Sequence, residues 1–186
     1  MDAGTHDRSL DWIMTGSGRP RLRPARPEDA AEIVAMVREL AEFEKEPLSS
    51  VEATAEDFRR DCFGPNRRAE VLILEEDGVV LGFALFFHNY STWLGRAGIY
   101  LEDLYLRPAA RGRGLGKLLL AGVARIARDR GCRRLDLWVL HWNPARAFYE
   151  RIGMEHMKDW QPYRLSGAAL GRLAEEVEDG SWSERP

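Results

Sequence analysis

Two apolar runs, 71–74 and 79–87, are joined at Asp77-Gly78. That dipeptide favours a two-residue turn joining antiparallel strands, so "AEVLILEEDGVVLGFALFFH" predicts a β-hairpin. The flanking chain alternates between strand and helix patterns. "RLRPA" reads as a short first strand, and Pro27, Glu28 and Asp29 open a helix after it. Proline suits a first helical turn, and the acids oppose the positive end of the dipole. Ile33, Val37, Leu40 and Ala41 keep helical spacing on its inner face. A second helix is expected around 54–61, a strand over 98–106, and a helix over 115–130. The buried stripe of that last helix is Leu115, Leu118, Leu119, Val123 and Ile126, with Arg128 and Arg130 at its negative end and Gly131 stopping it. "RRLDLWVL" reads as a strand, Asn143-Pro144 begins a short helix ending before Gly153, and "MEHMKDWQPYRL" reads as two further extended segments. A hairpin followed by β-α-β-α-β implies an α/β fold, a mixed sheet with helices on both faces.

The 186 residues fit one domain with a full-sized core. Residues 1–19, running into "TGSGRP", read as a poorly ordered extension, 20–176 as the folded domain, and 177–186 as a tail. The net charge of −3 and the scattered basic residues leave no nucleic-acid footprint. No apolar run approaches the roughly 18 residues of a membrane span. "MDAGTHDRSLDWIM" is too acidic and polar for a signal peptide, which leads us to expect a cytoplasmic protein. Cys62 and Cys132 lack metal-site spacing and read as reduced thiols. His6, His88, His141 and His156 show no ligand spacing, so no metal is expected.

"RGRGLGKL" lies directly after a strand and opens a helix. A helix N-terminus offers unpaired N–H groups and about half a positive charge, and glycines allow an anion close to the backbone. Arg111, Arg113 and Lys117 add charge. The spacing matches neither the dinucleotide fingerprint nor the P-loop. A flexible basic loop is the plain alternative, and the position between strand and helix favours a diphosphate site. On the strand before it, Glu102 and Asp103 interrupt an apolar run. Alternation sends them to opposite faces, so one is at least partly buried. Either they pair with nearby arginines, or partial burial raises a carboxyl towards the range useful for proton transfer.

Arg111-Gly112-Arg113-Gly114-Leu115-Gly116 fits R-x-x-G-x-G and resembles the acetyl-CoA pyrophosphate motif of the GNAT N-acetyltransferase superfamily. The likeness covers roughly 20–165 and includes "LEDLYL" and "NPARAFYERIGM". Through "ELAEFEKEP", "STWLGRAGIYLED" and "HWNPARAFY" the chain is most similar to the diamine (spermidine/spermine) acetyltransferases and their thialysine-acetylating relatives.

The resemblance implies the GNAT fold, acetyl-CoA as co-substrate, a small-molecule amine as acceptor, and a homodimer. It makes Glu102 the base that takes the ammonium proton and Tyr149 the acid that protonates the leaving thiolate. Arg111, Gly112, Arg113, Gly114, Leu115, Gly116 and Lys117 would cradle the pyrophosphate. Leu104, Tyr105 and Leu106 would meet the cofactor along the strand, with a bulge expected to free a backbone N–H at Leu104, and Asn143 would also face it. Phe43, Glu44, Trp93, Glu102, Asp103 and Tyr163 would bind the amine, since carboxylates and aromatic faces both attract ammonium groups. Tyr149 and Asn143 also have local reasons, a helix core and an N-cap. Ser91 and Gln161 stand where polyamine enzymes tend to carry acids, which points to a shorter or less charged amine. A protein N-terminal or lysine acetyltransferase and a non-catalytic acetyl-CoA sensor are the rival readings.

Overall fold

The computed structural model describes residues 20–178 of the chain. Five strands form one sheet in chain order: β1 (Arg21–Pro24), β2 (Glu70–Glu76), β3 (Val79–Ser91), β4 (Arg96–Leu106) and β5 (Leu135–Leu137). The first four are antiparallel and β5 runs parallel to β4, giving the expected mixed sheet. The helices are α1 (Ala30–Phe43), α2 (Ala55–Phe58), α3 (Leu115–Asp129), α4 (Ala145–Arg151) and α5 (Gly167–Glu178). The hairpin forms as read, with Asp77 at φ 50° and Gly78 at φ 81° between the paired Glu76 and Val79.

Val71, Leu72, Ile73 and Leu74 of β2 are all buried, so both faces of the sheet are covered. Val71 and Ile73 share one face with Phe83 and Tyr105, packed against Ile33 and Met36 of α1. Cys62 joins that cluster from a π-helical turn, Arg59–Phe63, that continues α2 beyond the single helix expected. α3 lies against β2, β3 and β4, burying Leu115, Leu119, Leu120, Val123 and Ile126. Each large aliphatic so buried contributes about 1.5–3 kcal/mol.

The start of α1 is anchored by charge. Glu75 accepts from Arg21 and from Arg23 Nε (2.6 Å), while the Arg23 guanidinium forks onto Asp29 at 2.6 and 2.8 Å. Burial works to raise both carboxyls, but the hydrogen bonds from arginine hold them below the usual range.

Three helices end alike. Past α3, Gly131 donates to Arg128 (2.9 Å) and Cys132 to Ala127 (2.8 Å). Past α4, Gly153 donates to Glu150 (3.1 Å) and Met154 to Tyr149 (3.0 Å). Past α1, Lys45 donates to Glu42 (3.1 Å) and Glu46 to Ala41 (2.9 Å). This double closure needs one left-handed residue, here Gly131 (φ 71°), Gly153 (φ 92°) and Lys45 (φ 63°).

The described residues fall into two compact units that divide between Asn143 and Pro144. The second carries α4 and α5. Residues 154–165, expected as two extended segments, form no strand; they are almost wholly exposed, and a strand without a ladder partner is not stable. β5 is also shorter than "RRLDLWVL" predicts, for a reason that lies in its neighbour.

Candidate active site

β4 is regular on either side of one residue. Asp103 pairs with Leu85 and Leu101 pairs with Phe86, so Glu102 is an extra residue with nothing opposite. Such a β-bulge kinks its strand and adds twist. The pairing of β4 with β5 stops at Leu101 and Leu137, immediately before the bulge, which is why β5 has only three residues. The expected irregularity is therefore at Glu102, and Leu104 pairs in register with Ala84. Strict alternation, the premise for placing the two acids on opposite faces, does not hold across this point. Asp103 shares the α1 side of the sheet with Tyr105, two residues on.

Glu102 is exposed and Asp103 is half-buried. Burial, with repulsion from Glu102 and then Glu44, pushes the Asp103 carboxyl up to about 7. Glu44 caps the C-terminal end of α1, and burial and the Glu46 charge raise its carboxyl too. Among the described residues none of the three forms an ion pair. The arginine-paired alternative therefore does not hold, and the acids repel one another with no arginine between them among the described residues. The neighbouring arginines are engaged elsewhere. Arg107 pairs with Glu32 (2.7 Å) and Glu39 (3.1 Å), and the Tyr105 hydroxyl donates to Glu39 at 3.1 Å.

Beside the carboxylates lies an aromatic wall. The Arg111 guanidinium stands 4.8 Å from the Phe43 ring and 5.6 Å from Tyr105, while its Nε donates to the Leu106 carbonyl at 3.0 Å. Phe43 in turn lies 6.4 Å from Trp142, whose face carries the Lys45 ammonium at 4.8 Å. Sequence reasoning placed Phe43 and Glu44 here and missed Lys45 and Trp142. Their signals were an aromatic directly before Asn143 and a lysine where a helix ends.

Trp93 does not join the cluster. Trp93 sits in the β3–β4 turn, 88% exposed. At about 3.3 Å per residue along β4, that turn lies roughly 20 Å from Asp103. Ser91 is buried and accepts the Leu94 N–H at 3.2 Å, a local reason for a small hydroxyl there. Tyr163 belongs to the second unit and is 87% exposed. Tyr149 lies on α4 in that unit, its ring 5.2 Å from Phe148. Asn143 is buried, and Pro144 rather than Asn143 is the N-cap of α4.

The glycine-rich turn follows β4 and a short 3-10 turn, Pro108–Ala110. Gly112 (φ 76°) and Gly114 (φ 77°) are left-handed, and among the described residues, chain neighbours aside, no atom lies within 4 Å of where either Cβ would stand. Gly114 is the N-cap of α3 with no side-chain hydrogen bond across it, so no cap side chain takes up the first-turn N–H groups of Leu115 and Gly116. This fits an elongated diphosphate. Lys117 forms no ion pair among the described residues, whereas Arg113 pairs with Glu76 at 2.7 Å and Arg111 is turned back onto the rings. Among the described residues no His, Cys, Asp and Glu side chains gather as a metal site.

The family model described as Acetyltransferase (GNAT) family matches residues 34–154. The chain is 38% identical to mouse "Thialysine N-epsilon-acetyltransferase" over 83% of this chain and 96% of that protein. It is 30% identical to human "Spermidine/spermine N(1)-acetyltransferase-like protein 1", over 97% of this chain and a region spanning 25% of that longer protein. Among solved structures, an integron cassette protein from the mobile metagenome of V. cholerae superposes with a TM-score of 0.70 at 26% identity, over 84% of this chain and 98% of that one.

Proposed function

This chain belongs to the GNAT acetyltransferase family and is an N-acetyltransferase, and from that premise we propose that it transfers the acetyl group of acetyl-CoA directly to the primary amine of a small polyamine or an amino-acid side chain. The observation that carries the reading is the group of unpaired carboxylates, Glu44, Glu102 and Asp103, around the bulge of the strand that leads into the glycine turn. A protonated alkyl amine, with a pKa near ~10.4, is drawn to such a cluster and is unreactive until it loses its proton. Relatives named for thialysine and for spermidine/spermine support both amine classes.

In this reading Gly112, Gly114, Leu115, Gly116 and Lys117 hold the diphosphate of acetyl-CoA, with Arg111 and Arg113 at its margin. Glu44 and Asp103 hold the ammonium, and Phe43 forms the aromatic wall. Glu102, solvent-exposed on the bulge, accepts the amine proton directly or through water. The backbone from Leu104 to Leu106 lines the acyl end. The Tyr149 hydroxyl donates its proton to the departing sulfur, whose thiol pKa lies near ~8.5. Trp93, Tyr163 and Asn143 remain proposed contacts to amine and cofactor. A homodimer in the cytoplasm belongs to the same reading; exposed Leu170, Leu173 and Val177, along one stripe of α5, are what a second copy would cover.

The test is release of free CoA thiol with spermidine, spermine, putrescine, lysine and thialysine supplied singly. Turnover with at least one amine is expected, and Glu102→Gln and Tyr149→Phe should each reduce kcat by about 100-fold. Full activity in both variants would remove these roles. Tight acetyl-CoA binding without turnover of any amine would move the reading to a protein substrate or a sensor.

A further inference from the structure

Of the three helix ends that close in the same way, two put glycine at the left-handed position and one does not. A Cβ is disfavoured in that conformation, so Lys45 is the poorer choice for ending α1. Its side chain is held in a particular place, with Nζ 4.8 Å from the Trp142 ring centroid. Trp142 stands 6.4 Å from Phe43, next to Glu44. Among the described residues no carboxylate pairs with Lys45. Three consecutive residues at the end of α1 thus present an aromatic face, a carboxylate and an ammonium with an unneutralised charge.

We propose that Lys45 is a specificity-determining residue of the amine site: its ammonium receives the carboxylate of an amino acid whose side-chain amine is acetylated, and it disfavours amines that carry only positive charge. The proposal rests on the N-acetyltransferase reading. Its logic is one of charge complementarity. A diamine needs only acceptors for its cations, and Glu44, Glu102 and Asp103 supply them. An amino acid with a terminal side-chain amine brings a carboxylate as well, which those three acids repel. It is admitted only where a cation stands among them.

Lys45 is that cation. The neighbouring guanidinium groups are committed, Arg111 to two rings and the Leu106 carbonyl, Arg107 to Glu32 and Glu39. An ammonium on a flexible stem adjusts to a carboxylate as a point charge. The face of Trp142 attracts it, with Nζ 4.8 Å from the ring centroid. The α-ammonium of the same substrate then falls to Glu44, and the reacting amine to Glu102 and Asp103.

The test compares lysine, thialysine and ornithine, each against the diamine that lacks only its carboxylate, in wild type, Lys45→Gly and Lys45→Arg. Wild type should favour the amino acids by kcat/KM. Lys45→Gly should lower that preference about tenfold, through a raised KM for the amino acids and a raised kcat/KM for the diamines, while Lys45→Arg keeps most of it. Glycine suits the left-handed position, so Lys45→Gly should melt at or above the wild-type temperature, which separates lost specificity from lost fold. An unchanged preference in Lys45→Gly overturns the proposal and leaves the enzyme reading intact. A raised KM for acetyl-CoA with an unchanged amine preference overturns it too, by giving Lys45 to the cofactor. Absence of turnover with every amine in wild type removes the reading on which it rests.

Discussion

Asp103 holds a proton more tightly in the folded chain than in the unfolded one, because the fold takes it from water and sets it near Glu102 and Glu44. Its carboxyl titrates at about 7 when folded, against a reference of 3.8. Between these values the folded state binds more protons, so this residue's contribution favours folding at low pH and is lost as pH rises through about 7. Asp103→Asn should therefore raise the melting temperature at pH 8 relative to wild type and flatten the pH dependence between 5 and 8, read by thermal melts across that range. In the proposed function binding runs the other way, since only the ionised carboxylate attracts an ammonium. The kcat/KM for amine should climb through pH 7, and Glu44→Gln should move that inflection down by removing one repulsive charge. At this scale the local marks of Glu102, Asp103, Phe43 and Glu44, whose roles belong to the proposed function, were legible: charge inside an apolar strand and an aromatic-acid pair at a helix end. Lys45 and Trp142 were not, because their contact joins residues 97 positions apart.

The bulge shows what an element can hide. Because Leu101 and Asp103 both keep ordinary partners, Glu102 can in principle be removed without shifting the ladder on either side. Deleting Glu102 should leave a folded chain of near-native circular dichroism, let β5 pair further along β4, and abolish acetyl transfer. A chain that unfolds on this deletion would mean that the bulge is needed for the sheet itself. The hairpin was legible since its turn chemistry lies in two adjacent residues, Asp77 and Gly78. The length of β5 was not, since it is set by where β4 leaves it. Residues 154–165 misled for a related reason: aromatic and apolar residues in short runs resemble strands, but only a partner ladder makes them so.

For the molecule as a whole, alternation of strand and helix patterns was enough to give a mixed sheet covered on both faces. The division between Asn143 and Pro144 carries no compositional mark. The cluster between α1 and the sheet offers a reporter of global opening. Cys62 is buried there with its thiol pushed up to about 11, chiefly by burial, while Cys132 is half-buried past the end of α3. In native protein at pH 8 a thiol reagent should modify Cys132 first and reach Cys62 only as fast as that core opens, followed by peptide mapping over time. Equal rates would show that the α1 face opens without global unfolding. The bulge also bears on how such a chain diversifies. Sheet stability depends on the paired neighbours, and the proposed amine chemistry on the unpaired residue between them. Mutational drift at Glu102 is therefore insulated from the folding constraint, and a lineage can explore new acceptors there while every intermediate still folds.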